Sequence, residues 1–184
     1  MINASKWQEE LKQKHRGRNI KSLTVDLNAK FVLVTRYLKP IKPPDELMHN
    51  LGATEEIMQR LARFISLIPP IPDSVPLAGI CEVWCECHQF FEMLMGNEQE
   101  HAILLCNYFL YLGKRAGIVL GAGIPEGSTA YVIIWEYTGL EPQMWNASTG
   151  QMFSVRDSFI PLNSVGCIIT PENVSDIEKE YSIF

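Results

Sequence analysis

The sequence has no apolar run approaching the ~20 residues of a membrane-crossing helix, and no signal-like apolar stretch follows Met1. The expectation is an intracellular protein with no integral membrane segment. Positive charge is also in short supply. Sixteen Lys and Arg against 21 Asp and Glu leave a formal net charge of −5, which argues against a general nucleic-acid binder with its basic footprint. The one locally basic stretch, "KWQEELKQKHRGRNIK", is expected to be a solvated helix or loose arm. There is no internal repeat, low-complexity tract, P-loop or G-x-G-x-x-G, and no cofactor is expected. Cysteines number five and include no C-x-x-C pair, so they read as reduced thiols and not as a disulfide framework. N-x-Ser sequons at Asn3, Asn146 and Asn173 are coincidences outside the secretory route.

The residues present suffice for one core: 184 of them, 47% hydrophobic and 10% aromatic. "KFVLVTRYL" alternates like a strand and is cut from the next segment by "PIKPP", which makes Asn28 to Pro44 a joint. From Thr54, with Glu55 and Glu56 in the first turn and Ile57, Leu61, Phe64, Ile65 and Ile68 on one face, an amphipathic helix runs to the breaker "PPIPD". Asn97 followed by Glu100 is a capping-box start. The helix it opens, "NEQEHAILLCNYFLYLGKRAG", is apolar on nearly every face and should be buried on most sides. After it "GIVLGAG", "TAYVIIWE", "PQMWN" and "QMFSV" read as strands, the last two joined by the turn "ASTG". The order is central helix, then antiparallel sheet.

Cys81, Cys85, Cys87 and His88 lie within eight residues and include two ligand types that zinc prefers, but at poor spacing and with no second pair downstream. If "GICEVWCECHQFFEML" is helical, Cys81, Cys85 and His88 share a face with Trp84, Phe91 and Leu94 nearby, which favours ordinary packing over a metal. Cys106 sits mid-helix among Leu and Phe, where a thiol is inert, and His101 on the same helix reads as structural.

The helix "NEQEHAILLCNYFLYLGKRAG", the strand "TAYVIIWE" and the word "MWNASTG" together resemble the transglutaminase-like branch of the papain-like cysteine peptidases. The fold implied is α+β, a papain-like/transglutaminase-like core with a central buried helix packed on an antiparallel sheet. Active members place a nucleophilic Cys at the helix start, where the dipole lowers the thiol pKa, a proton-accepting His at the start of a strand and an orienting Asp on the next. With Ala102 on the helix alanine, the resemblance puts the Cys position on Glu98, the His position on Thr129 and the Asp position on Asn146. A carboxylate at Glu98 suits a helix start but lacks a thiolate's nucleophilicity, and Thr129 cannot shuttle a proton near neutral pH. Asn146 can still orient a neighbour. The implied site is degenerate, with no catalytic residue, and a small-molecule substrate is not expected.

Six further words in one order, "FVLVTRYLKPIKPPDEL", "LARFISLIPPIPD", "GICEVW", "GNEQEHAILLCNYFLYLGKRA", "GAGIPEGSTAYVIIWE" and "MWNASTGQMF", followed by "FIPLNSVGCIITPENV", resemble the C-terminal part of the coiled-coil and C2 domain-containing protein 2 family. The resemblance implies an arm or remnant over 1–30, an inactive transglutaminase-like domain over 31–174 and a divergent tail over 175–184. It implies an alternative product or fragment of a longer architecture. It also implies a non-catalytic scaffold at the ciliary base, the transition zone and basal body, whose partners are other ciliary transition-zone proteins. A residual cysteine-type hydrolase using Cys106 and His101, or Glu98 as base, and a small zinc-binding adaptor on Cys81 to His88 are the alternatives.

Overall fold

The computed structural model describes residues 13, 22–48, 54–71, 83–135 and 141–176. In chain order the elements are β1 (Leu23–Val25), β2 (Phe31–Leu33), a 3-10 turn (Val34–Tyr37), α1 (Asp45–Met48), α2 (Thr54–Ile65), α3 (Cys87–Met93) and α4 (Glu98–Tyr111). Strands β3 (Arg115–Gly123), β4 (Gly127–Trp135), β5 (Gln143–Asn146), β6 (Gln151–Ser154), β7 (Leu162–Ile169) and β8 (Val174–Asp176) complete the order.

The expected central helix is α4, and its start is the expected capping box. Asn97 Oδ1 accepts the Glu100 N–H at 3.0 Å, and Glu100 Oε2 accepts the Asn97 N–H at 2.9 Å. Every residue from Glu100 to Phe109 is buried, so the helix is enclosed on all faces. It ends at Leu112 and Gly113, whose φ of 75° belongs to the left-handed region that glycine adopts without strain. Helix α2 is amphipathic as expected and turns Ile57, Met58, Leu61, Ala62 and Ile65 inward.

Strands β3 to β8 form one antiparallel sheet in the order β6-β5-β4-β3-β7-β8. Its two faces follow the period-2 alternation of the strands. Ala116, Ile118, Ala130, Val132, Ile134 and Trp145 face α4 and join its main core, with Trp145 edge-on to Phe109 at 5.4 Å. Val119, Tyr131, Ile133, Met144, Ile160 and Leu162 build a second cluster on the opposite face. This is the α+β, transglutaminase-like arrangement expected: a buried helix on an antiparallel sheet.

Four local expectations need correction. "KFVLVTRYL" is a strand only to Leu33. From Val34 it coils into a 3-10 turn that buries Val34 and Tyr37 in the main core. Strand β3 begins at Arg115, inside the word "NEQEHAILLCNYFLYLGKRAG" read as helix, because Arg115 pairs with Trp135 across the sheet. "GICEVWCECHQFFEML" is not one helix. Among its described residues only Cys87–Met93 is helical, started by a Glu86–Gln89 capping box. Strand β7, "LNSVGCII", is absent from the sequence-based expectation, since polar residues and a glycine interrupt its alternation.

That irregularity has a physical cause. The β3–β7 register shifts between Leu120 and Gly121, and there the Ser164 carbonyl presses against Gly121. A Cβ at Gly121 would lie 2.1 Å from that oxygen. Gly121→Ala is therefore expected to cost about 1–3 kcal/mol in urea unfolding.

A second polar device ties α4 to the chain before it. Asn107, fully buried, donates to the Tyr37 carbonyl at 2.9 Å and accepts the Lys39 N–H at 2.8 Å. Its Nδ2 also reaches Cys87 Sγ at 3.3 Å. Asn107→Ala strands a buried carbonyl and an N–H at once, and unfolding measurements should show a loss of about 2–4 kcal/mol.

Candidate functional site

Glu98 is the first residue of α4, half-buried, with its negative charge in the turn where the helix dipole favours it. Behind it stand Asn97 and Glu100, locked in the capping box, and the wholly buried His101. His101 Nδ1 lies 2.7 Å from the Asn97 carbonyl and Nε2 lies 2.9 Å from the Ile68 carbonyl. Phe90 stacks on its ring edge-to-face at 5.0 Å.

Thr129 and Asn146 share a sheet face. Asn146 pairs directly with Tyr131 across β4 and β5, and Thr129 is two residues before Tyr131. This face carries the second cluster and lies opposite the face that packs on α4. Asn146 is 4% exposed, and its side chain makes three hydrogen bonds. Nδ2 donates to the Tyr131 hydroxyl at 3.3 Å, while Oδ1 accepts the N–H groups of Ser148 and Thr149 at 3.0 and 3.2 Å. It therefore orients Tyr131 and builds the β5–β6 turn. Thr129, 1% exposed, has a hydroxyl with no hydrogen-bond partner among the described residues.

Tyr131 is the residue that sequence reasoning missed. Its hydroxyl donates to Glu126 Oε1 at 3.5 Å, and the charges of both Glu126 and Glu98 act on it. Burial, then those two carboxylates, push the phenol from its ordinary 10.0 up to about 12, against the opposing effect of the Asn146 hydrogen bond. Glu126 belongs to the β3–β4 turn. Its Oε2 and the Thr129 Cγ2 both lie over Gly123, 2.9 and 3.4 Å from where a Cβ would stand. The signal for Tyr131 was the aromatic two places after Thr129 in "TAYV", where strand pairing alone reveals its partner Asn146.

The other singled-out residues do not converge here. Cys81 lies outside the described residues. Cys85 and Cys87 are buried, whereas His88 is on the surface with Nδ1 3.5 Å from Glu86 Oε2. Residues 84–86 are not helical, so the shared helical face considered for zinc is not formed. Burial pushes the Cys85, Cys87 and Cys106 thiols up, and for Cys85 the hydrogen-bonded Glu100 adds to the effect. A thiol held protonated in this way is a poor nucleophile. Among the described residues no helix is long and apolar enough to cross a membrane.

The buried phenol makes stability depend on alkaline pH. Below about pH 10 Tyr131 is neutral in both folded and unfolded chains; above it the unfolded chain ionises first, and stability falls until the folded phenol titrates near 12. Tyr131→Phe should cost about 1 kcal/mol at neutral pH and reduce this alkaline loss, to which the buried Tyr37 and Tyr108 phenols, also raised by burial, still contribute; urea unfolding across the range measures both.

The family model of the CEP76 peptidase-like domain matches residues 82–175. Protein CC2D2B of Homo sapiens is 42% identical over 146 residues, covering 77% of this chain and 10% of that protein. Coiled-coil and C2 domain-containing protein 2A of Drosophila melanogaster is 24% identical over 157 residues, covering 85% and 12%. The chain thus spans about a tenth of the length of these curated relatives. Among solved structures, Legionella pneumophila LapG superposes with a TM-score of 0.59 at 13% identity, over 74% of this chain and 75% of that one. Its calcium-bound form gives 0.58 at 14%, over 75% and 78%, and at such identities the likeness concerns the fold alone. The resemblance to the coiled-coil and C2 domain-containing protein 2 family therefore holds along most of the chain, and the protein belongs to the CEP76 peptidase-like domain family.

Proposed function

We propose that this chain is a non-catalytic module of a ciliary assembly, built on a peptidase-like fold and working through protein–protein contacts at the transition zone and basal body. In this reading Glu98, Thr129 and Asn146 occupy the degenerate nucleophile, proton-relay and orienting positions, within a module over 31–174. The observation that carries it is the chemistry at Thr129 and Asn146. A buried hydroxyl without a hydrogen-bond partner among the described residues stands where an imidazole would be needed, and the Asn146 side chain is committed to Tyr131 and a turn. The similarity to the coiled-coil and C2 domain-containing protein 2 proteins supports the ciliary setting.

The residual-hydrolase reading has little chemistry to draw on. Cys106 is wholly buried, and both ring nitrogens of His101 are directed at backbone carbonyls. Two measurements test the proposal. A tagged copy of the chain in ciliated cells, followed by imaging and proximity labelling, should concentrate at the ciliary base beside transition-zone proteins; a diffuse signal without ciliary neighbours overturns that part. Purified chain should show no amide hydrolysis or transamidation, and turnover lost on Glu98→Gln would show that the site is alive.

A further inference from the structure

The fully buried His101 has two hydrogen-bond contacts that a neutral ring cannot make together. Nδ1 faces the carbonyl of Asn97, the N-cap of its own helix, at 2.7 Å, and Nε2 faces the carbonyl of Ile68, beyond the end of α2, at 2.9 Å. Carbonyl oxygens only accept. A neutral imidazole has one N–H and one lone pair, so one of the two contacts would set a lone pair against an oxygen at hydrogen-bond distance. Turning the ring over puts carbons in both places and loses both bonds. Only the ring with both nitrogens protonated satisfies the geometry.

We propose that His101 acts as a doubly donating imidazolium that latches the segment Ile68–Ile71 onto the N-terminal turn of α4, and that loss of its proton loosens this segment. Among the described residues the segment is otherwise held at the same place by few bonds. The Gly96 N–H donates to the Pro69 carbonyl at 3.3 Å, the Ile71 N–H donates to the Gly96 carbonyl at 2.8 Å, and Pro70 bridges Gly96. Through Nε2, His101 joins this short zipper to the helix itself.

The groups around the latch come from α4, from the segment before α3 and from α3 itself. Glu98 and Glu100 lie in the same helical turn, and Glu100 Oε2 and the Phe90 ring both crowd Gly96, which places that carboxylate beside the ring that stacks on His101. The segment before α3 contributes Cys85, whose thiol is hydrogen-bonded to Glu100. Helix α3 presents Phe90, and Ile68–Ile71 carries no titratable side chain. The latch stands one turn from Glu98, at the start of the same helix.

The test uses the whole chain, labelled with nitrogen-15, in imidazole and amide NMR between about pH 5.5 and about pH 8.5, the interval in which histidine changes charge. At the low end both His101 ring nitrogens should give directly protonated signals. As the ring loses a proton, the Gly96 and Ile71 amides should lose about tenfold in protection relative to amides of the central sheet, such as that of Val132, after correction for base-catalysed exchange. A single neutral tautomer at the low end overturns the inference, as does relative protection that stays constant while the ring titrates. His101→Gln, with one donor and one acceptor, should remove the pH dependence of that protection; its persistence in a folded variant would equally overturn the inference.

Discussion

A helix enclosed on every face is the constraint on which the rest of this structure depends. From Glu100 to Phe109 no side chain of α4 reaches solvent freely, so every polar group along it needs a partner inside the protein. Burying its Leu, Ile and Phe side chains supplies roughly 1.5–3 kcal/mol each, but only if α2, α3, the 3-10 turn and the sheet all close around it. Asn107 provides for the backbone of Tyr37 and Lys39, His101 reaches the carbonyl of Ile68, and Glu100 closes the cap. These polar side chains fix which segment lies where; the apolar ones supply the driving force.

The same constraint separates scaffold from chemistry. In a peptidase-like fold the buried helix would aim a thiol at an imidazole. Here the first turn of the helix holds a carboxylate, and the strand across from β5 holds a threonine and a tyrosine. Tyr131 collects the interactions of the region: a hydrogen bond from Asn146, another to Glu126, and the charge of Glu98. A neutral phenol raised to about 12 transfers no proton at physiological pH. It can fix the relative positions of two strands and a turn. The region is thus built to hold shape, which suits the docking role proposed for the chain.

Much of this architecture was legible from local patterns. The capping box at Asn97, the all-round apolar helix, the amphipathic α2 and the "ASTG" turn each depend on residues a few places apart, so the sequence alone determined them. The position of Glu98 at the helix start comes from the same cap.

The features that the tertiary structure decided involve residues far apart in the chain. The 3-10 turn of Val34–Tyr37 forms because Tyr37 and Asn107 meet across 70 residues, overriding an alternation that reads as strand. Strand β7 exists because β3 offers it an edge, with Gly121 making room for a carbonyl. Thr129 and Asn146 were visible as polar residues in apolar strands, but that they share the face of the second cluster, beside Tyr131, is set by strand register. Short-range patterns determine elements and caps, because those interactions close within a turn or two. Register, burial and the pairing of distant polar groups are decided only when the chain packs, because their energies depend on partners that no local window contains.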